Sequence, residues 1–165
     1  MTAARLLAGR RGAALLVLVG AILTVGGALV FEHVLGYVPC KLCLTERLLY
    51  YLAVPLAGIA LAAPERLSRL LLGLAALVLL YGAGLGIYHA GAEWGFWPGP
   101  TDCGGGSGPN PGAVGDFLDT LKTTRVVDCS TAAWRFLGVS LAGWNAVIAA
   151  ALASVAGMAA LSRGR

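Results

Sequence analysis

The chain has 165 residues, 58% of them hydrophobic and only 12% charged, with 24 glycines and a formal charge of +4. A soluble domain is about one quarter charged residues, so the composition excludes a cytosolic globule. It also excludes nucleic-acid binding as the meaning of the basic pI of about 9.1. Four stretches lack Asp, Glu, Lys and Arg altogether: 12–31, 48–64, 70–92 and 136–162, together 87 residues. Each is close to the roughly 20 apolar residues that carry a helix across a hydrocarbon core about 30 Å thick.

Backbone amides in lipid have no water to bond, so these runs are expected as α-helices, whose hydrogen bonds are internal. The expected fold is an all-α membrane protein, a single domain over 1–165. It has four transmembrane helices, about 12–31, 44–63, 70–90 and 142–161, with outer loops at about 32–43 and 91–141. Charge decides the orientation. The N-terminal segment (Arg5, Arg10, Arg11), the link after the second span (Glu65, Arg66, Arg69) and the tail (Arg163, Arg165) hold seven positive residues and one negative. The opposite side holds five positive and seven negative. The Lys/Arg bias of short loops makes the first set cytoplasmic and the second outward-facing, with both termini inside.

The first span has one alternative, a cleaved signal peptide behind Arg10-Arg11. Its 20-residue apolar core is longer than the roughly 7–15 residues of a signal core, and no A-x-A site follows before Phe31-Glu32-His33. The first outer loop is short and contains Pro39. The second span opens on Pro39-Cys40-Lys41-Leu42-Cys43-Leu44-Thr45-Glu46-Arg47 and contains Pro55, which is expected to kink it. In the third span Gly82 and Gly86 lie four apart on one face and suit close helix packing. His89 lies near its outer end, either as an interface histidine or as part of a site.

The second outer loop is long and begins with Trp94, Phe96 and Trp97, rings suited to the membrane interface. Residues 104–112, GGGSGPNPG, should be mobile. Beyond them Val114, Phe117, Leu118 and Leu121 recur at helical spacing. They predict a short helix that either lies on the membrane surface or packs on the other loops.

All four cysteines, Cys40, Cys43, Cys103 and Cys129, fall on the outward side. That compartment is oxidising in bacteria, so disulfide chemistry is the first expectation. A C-x-x-C ring closes too short a loop to remove much unfolded-state entropy, which favours catalytic over structural use of Cys40 and Cys43. Cys43 is expected near the outer N-terminus of the second span, where the helix dipole favours a thiolate. Arg47, one turn on, adds positive charge. Arg47 sits at the membrane edge, where an ionisable group reads as functional and otherwise as a snorkelling anchor. Cys103 and Cys129, 26 positions apart, flank the glycine run. A bond between them is either structural or open to attack by an incoming thiolate.

These residues resemble the bacterial disulfide bond formation protein B (DsbB) family of quinone-linked membrane thiol oxidases. The resemblance rests on the four spans, P-C-x-x-C followed by Arg47, the cysteine pair in the long outer loop, and Asp128-Cys129 followed by Trp134, Phe136, Leu137 and Gly138. It implies that Cys103–Cys129 exchanges with a periplasmic DsbA-like thiol oxidase, Cys103 forming the mixed disulfide. Cys40–Cys43 then reoxidises that pair and passes two electrons to the membrane quinone pool, ubiquinone or menaquinone. Cys43 faces the quinone, and Arg47 and His89 complete its site. The implied location is the bacterial inner membrane, the cysteines on the periplasmic side. One departure is Glu46, where the family often has Gln. A carboxylate there either partly cancels Arg47 or, about 100° round the helix from it, faces water.

Three rivals come from other classes. His33 and His89 at the outer ends of spans are candidates to clasp a haem. A four-cysteine zinc site is disfavoured by the spacing, so no metal is expected. The third is a structural tetraspan with inert disulfides.

Overall fold

A computed structural model describes residues 9–100, 125–126 and 129–162. The apolar runs form four helices: α1 (Arg10–His33), α2 (Lys41–Ala62), α3 (Glu65–Glu93) and α4 (Leu141–Leu161). All four are long and apolar enough to cross a membrane. Each packs on its neighbour in chain order and α1 closes on α4, whereas α1 and α3 meet only marginally. The result is a four-helix ring, as expected of the fold.

The packing is that of a membrane bundle. Its core is largely alanine, including Ala14, Ala21, Ala53, Ala57, Ala75, Ala149 and Ala153, while Leu23, Leu77 and Leu80 point outward. Lipid is as apolar as leucine, so helix contact is selected for small residues and close backbones. Gly86 is an example: a Cβ there would stand 3.0 Å from the backbone of Ala146. Gly82, although four residues away, faces Leu49 of α2 instead, so the two glycines serve different neighbours.

Several boundaries differ from expectation because polar residues join the helices. Cys40 caps α2, its sulfur accepting the Cys43 N–H at 3.2 Å, so the helix takes in Lys41, Glu46 and Arg47. It also continues through Pro55. α3 starts directly after Pro64 and runs to Glu93. Gly95, at φ +76°, then turns the chain back, and the amides of Gly95 and Phe96 bond Ala92 O and Gly91 O, a Schellman stop. Trp97 folds over Gly91, where any Cβ would collide with its ring, and donates its indole N–H to Tyr88 O at 2.9 Å.

At the end of the bundle away from the cysteines, two arginines hold the C-terminus of α4. Arg10 donates to Ala159 O at 3.2 Å and to Ser162 O at 2.5 Å and pairs with Glu65, and Arg69 donates to Ala160 O. Cations and donors at a helix C-terminus meet its orphan carbonyls and its dipole.

At the cysteine end the connecting segments carry short strands that the periodicity did not announce. β1 (Tyr37–Val38) pairs in parallel with β2 (Arg125–Val126), and β3 (Arg135–Phe136) pairs with β4 (Val139–Ser140) as a hairpin. The hairpin turns on Leu137 and Gly138, both at positive φ, as a tight two-residue turn requires. The expected surface helix over 114–121, the glycine run and Cys103 lie outside the described residues.

Candidate functional site

Four segments meet at the cysteine end. Cys40 caps α2 and Cys43 lies in its first turn. His89 and Glu93 come from the last two turns of α3, Asn145 from the first of α4, and Cys129 from the segment before it. Cys40 and Cys129 are both fully buried and pack together. The Cys40 sulfur, the Cys129 sulfur and a ring nitrogen of His89 lie within 4.8 Å of one another. Residues 89 positions apart in sequence are thus adjacent. Cys129 is disulfide-bonded, while Cys40 and Cys43 are free thiols with sulfurs 2.8 Å apart.

The helix start brings both cysteines to the N-terminus of α2. Cys43 lies near the outer N-terminus as expected, in the first turn, while Cys40 is the cap and receives the Cys43 amide. The Cys40 thiol is held well below the usual thiol range, chiefly by the hydrogen bond with the Cys43 side chain, with His89 and the Cys43 amide adding to it against burial. A thiolate at a helix N-terminus beside an imidazole is the arrangement that low thiol values require.

Glu46 corrects a second expectation. It neither faces water nor cancels Arg47: it is buried, and it binds His89 Nδ1 at 3.0 Å with one oxygen and the Asn145 amide at 2.8 Å with the other. Tyr50 OH donates to Asn145 Oδ1 at 2.7 Å. Successive residues on a helix diverge by about 100°, so Arg47 turns to α1 instead, where Glu32 receives it at 2.5 Å. With Nδ1 engaged by Glu46, His89 presents Nε2 to Cys40 Sγ at 3.7 Å.

Beside these groups lies a cavity of about 340 Å³, lined by Cys43, Glu46, Arg47, His89, Glu93 and Asn145 and by apolar walls that include Phe31 and Trp144. Such a volume is at the lower end of small-ligand sites, roughly 300–1,000 Å³, and mostly apolar walls with a few convergent polar groups are their usual character. Among the described residues, two buried polar atoms of this lining have no partner: Arg47 Nε and Glu93 Oε2.

Of the expected site residues, Cys40, Cys43, Arg47, His89 and Cys129 are therefore brought together, and Cys103 is outside the described residues. The structure adds Glu32, Glu46, Tyr50, Glu93 and Asn145. Three of these are carboxylates at span ends, the signal that singled out Arg47; Tyr50 and Asn145 carried none. The haem pair is not assembled. His33 is exposed, does not line the cavity, and His89 has both ring nitrogens engaged.

Comparison with known proteins agrees with this architecture. The family model described as disulfide bond formation protein DsbB matches residues 10–159. Among curated relatives, disulfide bond formation protein B of Marinobacter nauticus is 31% identical over 126 residues, covering 73% of each chain. That of Saccharophagus degradans is 32% identical over 145 residues, 83% of this chain and 84% of the relative. The Pasteurella multocida protein is 30% identical over 156 residues, 86% of this chain and 80% of its own. A match over nearly the whole bundle, with cysteines converging at one end of it, makes this chain a multi-pass bacterial membrane protein of the disulfide bond formation protein B (DsbB) family.

Proposed function

We propose that the protein is a membrane thiol:quinone oxidoreductase that reoxidises a DsbA-like periplasmic dithiol oxidase. Electrons enter at Cys103–Cys129, pass to Cys40–Cys43 and leave to a quinone of the membrane pool. The observation that carries this reading is the contact of Cys40 with Cys129, with Cys43 on the cavity wall. Thiol–disulfide exchange needs a thiolate beside a disulfide sulfur. In the direction of electron flow a Cys129 thiolate attacks the Cys40 sulfur of a Cys40–Cys43 disulfide. The arrangement described, with Cys40 and Cys43 free beside a disulfide-bonded Cys129, is the product side of that exchange, with the electrons on the first pair.

The cavity suits a quinone ring. Its walls are apolar, and the buried Arg47 Nε–H has no acceptor among the described residues, so a carbonyl oxygen of a ligand would satisfy it. A bound quinone supplies acceptance of two electrons and two protons, without which an ordinary disulfide could not restore a strong thiol oxidant. The protein's own groups do the rest. Glu46 fixes the tautomer and orientation of His89, and His89 Nε2 takes up or returns a proton at Cys40. The Arg and Lys distribution supports cytoplasmic termini and periplasmic cysteines.

The test is oxidation of a reduced periplasmic dithiol protein by the purified chain in detergent with ubiquinone or menaquinone. One quinone should be reduced per disulfide made. Absence of quinone-dependent turnover with either would refute the reading.

A further inference from the structure

Among the described residues three carboxylates line the cavity, and two of them are satisfied. Glu32 holds Arg47, and Glu46 holds His89 and Asn145. Glu93, one turn beyond His89 on α3, has a side chain only 4% exposed. Its Oε1 lies 4.0 Å from His89 Nε2, too long for a hydrogen bond, and its Oε2 is buried with no partner. A buried carboxyl oxygen left unmade carries its full desolvation cost. The same cavity is lined by Glu32 from α1, Cys43, Glu46 and Arg47 from α2, His89 from its own helix and Asn145 from α4.

Resting on the quinone reading above, we propose that Glu93 passes a proton to the quinone oxygen, and that His89 reloads it with the proton it holds against Cys40. A bare carboxylate repels a carbonyl oxygen, whereas a carboxyl group donates to it. Glu93 Oε2 and a quinone oxygen are therefore compatible neighbours only with a proton between them. The same contact serves after reduction, when the proton sits on the ligand oxygen and Oε2 accepts.

The step balances. Cys40 enters as a thiolate with its proton already on His89 Nε2, so only the S–H bond of Cys43 breaks as the S–S bond forms, and two electrons leave together with one proton from Cys43 and one from His89. Both electrons go to the bound quinone. The proton that His89 Nε2 holds against Cys40 Sγ, 3.7 Å away, passes to Glu93 and replaces the one that Oε2 has given up. The other leaves Cys43 for the second quinone oxygen. A rotation of the Glu93 side chain closes the 4.0 Å gap to His89 Nε2.

The experiment compares wild type, Glu93→Gln and Glu93→Asp in detergent, with added ubiquinone or menaquinone. Glu93→Gln keeps the size and a donor but cannot hand over a proton, so kcat should fall about 100-fold, at the lower end of general acid–base contributions. Its quinone Kd should stay within about tenfold of wild type, which also reports that the variant is folded, and Glu93→Asp should recover part of kcat. Infrared difference spectra of wild type on adding quinone, before any thiol substrate, should show a protonated-carboxyl C=O stretch that Glu93→Gln lacks. Normal kcat in Glu93→Gln, or no carboxyl band assignable to Glu93 in wild type, overturns the proposal while leaving quinone coupling intact. Wild type that neither binds nor reduces quinone overturns the reading beneath it.

Discussion

Glu46 accepts the Nδ1–H of His89 at 3.0 Å, which leaves the other ring nitrogen to face the sulfur of Cys40 at 3.7 Å. A carboxylate that holds one side of an imidazole determines what the other side can do. The residue that looked out of place beside the arginine therefore acts on the histidine from another helix. It also ties α2 to α3 and, through Asn145, to α4.

Replacing Glu46 by Leu should be strongly destabilising. Removing one member of a buried charge pair leaves the other unpaired and costs about 3–5 kcal/mol. Thermal unfolding in detergent should show a large fall in midpoint for Glu46→Leu and a smaller one for Glu46→Gln, which keeps a hydrogen-bonding group toward His89. Equal stability of Glu46→Leu and wild type would show that the contact is not energetically coupled.

Arg47→Met should weaken quinone use and also unsettle Glu32. Because Glu32 is 26% exposed, the stability cost should be about 1–2 kcal/mol, below that of a fully buried pair. Adding Glu32→Gln should recover stability while leaving the quinone KM raised. If the double variant regains a normal KM, Arg47 is an anchor and nothing more.

Cys40 carries the pH signature. Its thiol lies below the usual thiol range, chiefly because of its contact with Cys43, so in the reduced protein it should be a thiolate through neutral pH and take up its proton only on acidification. With the folded value below the unfolded one, this thiolate stabilises the fold at neutral pH, and the contribution is lost as pH falls through the folded value. Thiolate ultraviolet absorbance, with Cys40→Ser as baseline, should show the transition. Cys43→Ala should move it upward. A transition at ordinary thiol pH in the wild-type chain would contradict the assignment.

Cys40→Ser and Cys43→Ser should each reduce quinone-coupled turnover to background. Cys129→Ser should let a Cys103-linked complex with the dithiol partner accumulate, visible by non-reducing electrophoresis and peptide mapping. Complexes linked only through Cys129 in a Cys103→Ser chain would reverse the two roles.

Gly86→Val tests the packing. Its Cβ would meet the Ala146 backbone at 3.0 Å with no flexible side chain to yield, so the variant should lose about 1–3 kcal/mol by overpacking. Gly84→Ala, with open space around its Cβ, is the control in the same unfolding assay.

Taken alone, the sequence determined the four spans, their apolar character and the chemistry of the cysteines, because each is written locally. Twenty residues without charge must be helical in lipid, and P-C-x-x-C with an arginine a turn later is contiguous. The tertiary structure alone decided which groups share a site. Cys129 meets Cys40, and Glu46 and Asn145 meet His89, across separations that no local period encodes. It also decided that Cys40 is the cap of α2, since a helix starts where a side chain satisfies its first free amides, and that Glu46 and Arg47 part company. Neighbours in sequence sit about 100° apart on a helix, and which of them faces lipid, cavity or another helix is settled only when all four helices are in place.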